Sequence, residues 1–143
     1  AIQELLNVTD RKILLRPHPS DKGNSATKYL MNIFGNNPRV LVSKIKDLYE
    51  DLNRSWCLLC YNSISCVEAT LYGTPVIALG KSAVSNPVSQ HSVKEIENIH
   101  ETDRKEWCNR IAFYQWTNEE LADESWQRYI WSLLRKCISN NKK

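Results

Sequence analysis

Short apolar runs alternate with segments of helical spacing in the N-terminal part of the chain. Four of these runs predict β-strands, at residues 12–16, 39–42, 56–61 and 75–80. The last two contain almost no polar residue, which is typical of strands covered on both faces of a sheet. We therefore expect 56–61 and 75–80 to lie in the middle of a parallel sheet.

Helices are predicted between these strands. Residues 65–72 form one candidate, which Gly73 would end, with Pro75 just beyond it. A second candidate has apolar residues at helical spacing: Ile45, Leu48, Tyr49 and Leu52. Ser43 is its candidate N-cap. Alternation of strand and helix predicts an α/β fold, a Rossmann-like open parallel sheet flanked by helices.

Residues 92–138 have a different pattern, which predicts extra C-terminal helices of the same domain. Three pairs have the spacing of a capping box: Ser92 with Glu95, Asp103 with Glu106, and Thr117 with Glu120. We interpret residues 1–143 as a single domain. The chain starts with Ala1 inside an apparent helix, so we expect it to be a fragment of a larger two-domain protein.

Composition narrows the class of protein. Apolar residues make up 42% of the chain and charged residues 24%, as in ordinary globular proteins. The net charge of +3 is spread along the chain, so nucleic acid is not predicted as a partner. No apolar run is long enough for a transmembrane segment.

The five cysteines follow no disulfide framework, which favours reduced thiols and a cytoplasmic location. Cys57 and Cys60 form a CxxC sequence inside a predicted strand. Residues three apart on a strand point to opposite faces, so a shared metal ion is not expected. We predict no metal site and no cofactor.

Three unusual stretches end predicted strands. Residues 16–19, Arg-Pro-His-Pro, end the first strand; 61–65, Tyr-Asn-Ser-Ile-Ser, end the third; and 80–82, Gly-Lys-Ser, end the fourth. Open α/β sheets bind ligands in the crevice at the carboxyl ends of their strands. The three stretches are therefore expected to share one rim.

The residue types on this rim suit an anion. A helix that begins near Ser63 or Ser65 offers backbone N–H groups and a partial positive charge. Arg16 can add a bidentate cation, and His18 can stabilise charge on a departing phosphate oxygen. Glu68 can accept hydrogen bonds from ribose hydroxyls. Local explanations stay open, since Ser63 and Ser65 are also candidate N-caps, and Ser65 with Glu68 has capping-box spacing.

Together these stretches resemble a known family. Residues 16–19, residues 61–69 and the sequence Gly-Thr-Pro-Val-Ile-Ala at 73–78 resemble the donor-binding C-terminal half of GT-B glycosyltransferases. The His-Pro pair and the serine motif are similar to those of bacterial sialyltransferases and of the Kdo transferases of capsule polysaccharide biosynthesis. Residues 103–117 are similar to glycosyltransferase-like proteins of phages and bacteria. The resemblance covers about residues 12–126.

The resemblance implies an enzyme that transfers a sugar from a nucleotide-sugar donor to a glycan or another hydroxyl acceptor. It implies that His18 and the turn from Ser63 to Ser65 contact the donor phosphate and that Glu68 contacts the ribose. We therefore take His18 as the candidate catalytic residue. The candidate donor-binding residues are Arg16, Asn62, Ser63, Ser65 and Glu68. The acceptor half and the catalytic base of the family have no counterpart here, so a missing N-terminal domain is expected and the fragment alone should be inactive.

Two departures bear on the chemistry, and two other functions stay open. No acidic ligand pair lies on the rim, so an obligatory metal ion is not expected, and Arg16 and His18 would take its role. No GxGxxG loop is present, which disfavours a dinucleotide oxidoreductase. The alternatives are a non-catalytic nucleotide or sugar-phosphate binding module, and an epimerase or hydrolase of nucleotide sugars with the same fold.

Overall fold

The computed structural model describes residues 1–21, 23–100, 102–113 and 115–140, without the side chains of Leu134 and of 136–140. The chain divides into two compact units, Ala1–Arg104 and Lys105–Lys143. The elements of the first unit are α1 (Ile2–Val8), β1 (Ile13–Leu15), α2 (Ser25–Phe34), β2 (Val40–Val42), α3 (Leu48–Leu52), β3 (Leu58–Cys60), α4 (Ser65–Tyr72) and β4 (Val76–Ala78). Two short 3-10 helices follow, Asn86–Val88 and Val93–Glu95. The second unit contains α5 (Lys105–Phe113), α6 (Asn118–Ala122) and α7 (Glu124–Asn140).

The four strands form two parallel pairs. Strand β1 pairs with β2, with Leu14 opposite Leu41, and β3 pairs with β4, with Leu59 opposite Ile77. Helix α2 connects the first pair and α4 connects the second, so the unit contains two βαβ motifs. The α/β class and the parallel pairing are therefore confirmed.

Hydrogen bonding within the described residues makes two separate two-stranded sheets and not one continuous open sheet. The prediction that β3 lies in the middle of a sheet is wrong, because within the described residues β3 is hydrogen-bonded to one strand only, β4. Strand β4 is more central, since its other edge forms a parallel bridge from Ile77 to Gln90. The physical reason is that strand pairing depends on long-range packing, which an apolar run alone does not specify.

Strand β4 is buried on both faces, as its apolar sequence predicts. Val76 and Ala78 belong to a cluster on one face, together with Leu52, Cys66, Ala69 and Ala83. Ile77 belongs to a second cluster with Leu5, Val93 and Ile96. Because side chains alternate along a strand, one short strand serves both clusters. Ile13 of β1 and Leu59 of β3 pack against the second cluster, so both sheets contribute to it.

Local sequence explains several helix ends, with one correction. Helix α4 ends at Gly73, whose φ of 102° is left-handed and favours glycine, as predicted. Helix α3 begins later than expected, and its N-cap is Asp47, which accepts a 3.0 Å hydrogen bond from the Tyr49 amide. The predicted cap, Ser43, instead donates to Asp51 at 2.6 Å. The loop between Ser43 and Asp47 is therefore not helical.

Helix α2 was not predicted from the sequence, and it lies at the surface of the first unit. None of its residues is buried, and its large apolar side chains Tyr29 and Ile33 are exposed. The helix begins after Asn24, which adopts a left-handed conformation with φ of 49°.

Two of the three predicted capping boxes are confirmed. Ser92 and Glu95 form one at the second 3-10 helix, and Thr117 and Glu120 form one at α6. The box at Asp103 stays a prediction.

In the second unit the Trp126 ring meets Trp116 edge-on at 6.0 Å. None of the helices in the described residues combines the length and the apolar character that crossing a bilayer requires.

Candidate functional site

The loops that follow β3 and β4 are joined directly. The Gly80 amide donates a 2.8 Å hydrogen bond to the Tyr61 carbonyl, and Asn62 Nδ2 donates to Ser82 Oγ at 3.0 Å. A Cβ atom at Gly80 would lie 2.3 Å from the Tyr61 carbonyl oxygen, so this approach requires glycine. The structure thus brings two of the three predicted stretches, 61–65 and 80–82, to one edge of the β3–β4 sheet.

Helix α4 starts at this edge. Ser65 is its first residue, and the N-cap is Ile64, which forms no side-chain cap. The capping box of Ser65 with Glu68, which is one local explanation for these residues, therefore does not form. The Ser63 hydroxyl accepts a 3.3 Å bond from the Ser65 amide, and the Ser63 carbonyl accepts one of 3.1 Å from Cys66. First-turn amides thus have acceptors within the loop, and a bound anion would depend mainly on the hydroxyls and the helix dipole.

Glu68 lies in the first turn of α4 and is partly buried. Its carboxylate makes no hydrogen bond or ion pair with any residue that the structure describes. The carboxylate therefore remains able to accept hydrogen bonds from a ligand. Contact with ribose hydroxyls stays a prediction.

Arg16 follows β1, and its guanidinium is engaged by the loop after β2. Nη1 donates to the carbonyl of Ile45 at 3.1 Å and to that of Asp47 at 3.3 Å, and Nη2 donates to the Lys46 carbonyl at 2.5 Å. Nη1 also pairs with Asp51. The side chains of Arg16 and Asp51 are only 22% and 7% exposed. Arg16 as a phosphate ligand stays a prediction, but most of its donors already have partners.

Asp51 is a residue that sequence reasoning missed. It is buried, and it accepts hydrogen bonds from both Arg16 and Ser43. A buried carboxylate needs a cationic partner and further hydrogen bonds, which these two residues provide. The only signal in the sequence is an acidic residue beside Leu52, on the apolar side of α3, and it does not identify Arg16.

His18 is exposed, and its ring is oriented by a neighbour. Its Nδ1 accepts a 3.2 Å hydrogen bond from the Ser20 amide and lies 2.6 Å from Ser20 Oγ. In the neutral ring this bond requires the lone pair on Nδ1 and leaves the proton on Nε2, which can donate. No hydrogen bond joins His18 to residues 61–65 within the described part of the chain. Its proximity to Ser63 and Ser65 stays a prediction.

The cysteines correct one expectation. Cys60, the last residue of β3, and Cys66, the second residue of α4, are joined in a disulfide that encloses residues 61–65. The expectation of reduced thiols is therefore wrong for this pair, because folding brings together two cysteines whose spacing matches no framework. Cys57 is free, and burial raises its pKa to about 11, which keeps the thiol protonated and unreactive at neutral pH.

A small cavity lies at the opposite end of β4. Its volume is about 60 Å³, and its lining includes Thr70, Thr74, Gln90, His100 and Arg104. Arg104 donates a 2.8 Å hydrogen bond to the Thr70 carbonyl in the last turn of α4. This volume is far below that of ordinary ligand pockets, roughly 300–1,000 Å³. The size of this cavity therefore does not favour it as a nucleotide site.

Comparisons with protein-family models, curated proteins and solved structures gave no match to this chain. Membership of the GT-B glycosyltransferases therefore stays a prediction from the quoted motifs. In the described residues, no three histidine, cysteine, aspartate or glutamate side chains converge as metal ligands.

Proposed function

We propose that this chain is the nucleotide-sugar-binding half of a GT-B glycosyltransferase, and that its two βαβ motifs belong to one Rossmann-like arrangement. The partners would be a nucleotide-sugar donor and a glycan or other hydroxyl acceptor. A second domain would supply the acceptor site and the catalytic base. The chain alone would then bind the donor without transferring its sugar.

The joined loops after β3 and β4 are the observation that carries this proposal. They hold Asn62, Ser63 and Ser65 at the carboxyl edge of a parallel strand pair, beside the first turn of α4. This edge is where α/β domains bind nucleotides and other phosphorylated ligands. Glu68 lies in the same first turn, and its carboxylate makes no hydrogen bond or ion pair within the part of the chain that the structure describes.

In the proposed reaction the acceptor oxygen bonds to the anomeric carbon of the donor sugar. The bond from that carbon to the phosphate oxygen breaks, and its electron pair stays on the phosphate. Nε2–H of His18 would donate a hydrogen bond to this oxygen as its charge grows. The acceptor proton would pass to the base on the second domain.

Nucleotide binding is the first test. We would titrate CMP, CDP, UDP and GDP into the chain by calorimetry, and repeat the measurement with His18→Ala. A charge-assisted contact predicts a loss of about 1–3 kcal/mol of binding free energy. His100→Ala is the matched control, because His100 is also exposed but lies at the cavity beyond the other end of β4. Absence of binding by all four nucleotides would refute the proposal.

Assays of sugar transfer distinguish the proposed function from its alternatives. Sugar transfer by the isolated chain would contradict the two-domain mechanism, whereas release of free sugar would support the hydrolase. Nucleotide binding combined with no transfer by a longer protein containing this chain would support the non-catalytic module.

The cytoplasmic location also stays a prediction. The Cys60–Cys66 disulfide argues against it, because disulfides persist mainly in oxidising compartments. Mass spectrometry after alkylation of the untreated protein would decide: a cytoplasmic protein should carry alkyl groups on both cysteines.

A further inference from the structure

Arg16, the cation expected at the rim, makes its contacts with another segment of the chain. Arg16 gives its two terminal nitrogens to three backbone carbonyls and to Asp51, all in the segment from Ile45 to Asp51. Nη1 could turn to a phosphate only by leaving Asp51 as a buried carboxylate without a cationic partner, which is strongly unfavourable. Within the described residues, the contribution of Arg16 to a phosphate on the rim is thereby limited to its remaining N–H groups, on Nε and Nη2.

Lys81 is held at the loop that begins α4. Its neighbours on both sides are hydrogen-bonded to that loop, Gly80 to Tyr61 and Ser82 to Asn62. Two residues further on, Ala83 packs in the same buried cluster as Cys66 and Ala69 of α4. These contacts fix the backbone on either side of Lys81 against the start of the helix.

The Lys81 side chain is available. The residue is exposed, and in the described residues no hydrogen bond or ion pair engages its ammonium group. Lysine binds phosphate as a mobile point charge on a long stem, so it needs no fixed geometry before the ligand arrives. Lys44 and Lys46 are also exposed, but they belong to the loop after β2, which Arg16 holds.

We propose that Lys81, and not Arg16, supplies the cation that contacts the phosphate of the nucleotide. The inference rests on the proposed nucleotide-binding function. It assigns Arg16, two residues before His18, a positioning role. Through Asp51 and the three carbonyls, the guanidinium joins the end of β1 to the segment from Ile45 to Asp51.

The test measures binding of inorganic pyrophosphate and of the four nucleotides to Lys81→Ala. Loss of a charge-assisted contact predicts binding weaker by roughly tenfold or more. Lys81→Arg, which keeps the charge, should restore binding to within a few-fold of the wild type. Lys94→Ala is the control, since Lys94 is also exposed but lies in the second 3-10 helix. All three substitutions are at exposed positions, so the fold should be retained.

The outcomes separate this inference from the function on which it rests. If the wild type binds and Lys81→Ala binds equally well, the assignment of Lys81 is wrong and the proposed function stands. The same holds if Lys46→Ala causes the loss instead. If the wild type binds neither pyrophosphate nor any nucleotide, the proposed function itself fails. Arg16→Lys should lower the midpoint of unfolding, and weaker binding at an unchanged midpoint would restore Arg16 as the ligand.

Discussion

The two βαβ motifs have the same topology but are stabilised differently. The second, β3–α4–β4, buries all three residues of β4 and four residues of α4. The first, β1–α2–β2, buries one residue of β2 and none of α2. Apolar burial therefore stabilises the second motif far more than the first.

Hydrogen bonds from arginine side chains to backbone carbonyl groups stabilise the first motif, where apolar burial is small. Arg16, at the end of β1, holds the loop after β2. Arg39, just before β2, donates to the carbonyls of Thr9 and Leu6 at the end of α1. Charged donors thus fix both ends of the first motif, where apolar contacts are sparse. A shared topology does not imply a shared source of stability.

The middle residues of β4 and β2 give the sharpest test of this contrast. Ile77 is fully buried, and Leu41 is 42% exposed. Ile77→Ala should lower the free energy of unfolding by about 3–4 kcal/mol, because it removes buried apolar atoms and leaves a cavity. Leu41→Ala should cost about 1 kcal/mol or less. Urea denaturation measures both, and equal losses would contradict the contrast.

The Arg16–Asp51 pair should matter nearly as much to the first motif. Asp51→Ala leaves Arg16 without its carboxylate partner in a mostly buried place, and we expect a loss of about 3 kcal/mol in the free energy of unfolding. The matched control is Glu106→Ala, which breaks the exposed i,i+4 pair with Arg110 and should cost about 0.5 kcal/mol or less. A loss at Asp51 no larger than at Glu106 would show that the pair does not stabilise the first motif.

Gly80 tests the close contact at the rim of the second motif. In Gly80→Ala the new methyl group would collide with the Tyr61 carbonyl, so the loops must separate, at a cost of about 1–3 kcal/mol. Gly23→Ala should be nearly neutral, because the nearest atom to its Cβ, Asp21 Oδ1, is 3.9 Å away. Thermal unfolding of both variants provides the measurement. Identical midpoints would mean that the loops are not held together as described.

The smallest expected effect is a loss of folding stability at acid pH when Glu97 becomes protonated. Hydrogen bonds from Thr9 and then Arg11 lower the pKa of Glu97 below its ordinary value. A group with a lowered folded-state pKa contributes stability above its unfolded pKa, and this contribution disappears as the pH falls through the folded pKa. The stability difference between wild type and Glu97→Gln should therefore shrink as the pH falls below the ordinary glutamate pKa of 4.5. A difference independent of pH would contradict this.

The site was partly predictable. Residues 61–65 and 80–82 were expected at one rim because parallel strands expose their carboxyl ends together, and hydrogen bonds join the two stretches. The availability of Arg16 could not be predicted, because its partner Asp51 lies 35 residues away and carries no sequence signal of pairing. Lys81 appeared in the rim sequence, but the role proposed for it depends on the contacts that Arg16 makes with Asp51 and three carbonyl groups.

The sequence by itself determined the features that depend on local chemistry. The burial of β4 on both faces follows from its unbroken apolar run, the end of α4 from the left-handed glycine Gly73, and the start of α6 from the capping box at Thr117. Tertiary structure alone decided the pairing of strands into two sheets, the clamp between Arg16 and Asp51, and the disulfide from Cys60 to Cys66. The local features involve residues within one helical turn or one strand, so a short stretch of sequence specifies them. The strand pairing, the Arg16–Asp51 pair and the disulfide depend on how distant segments pack, which no local pattern encodes.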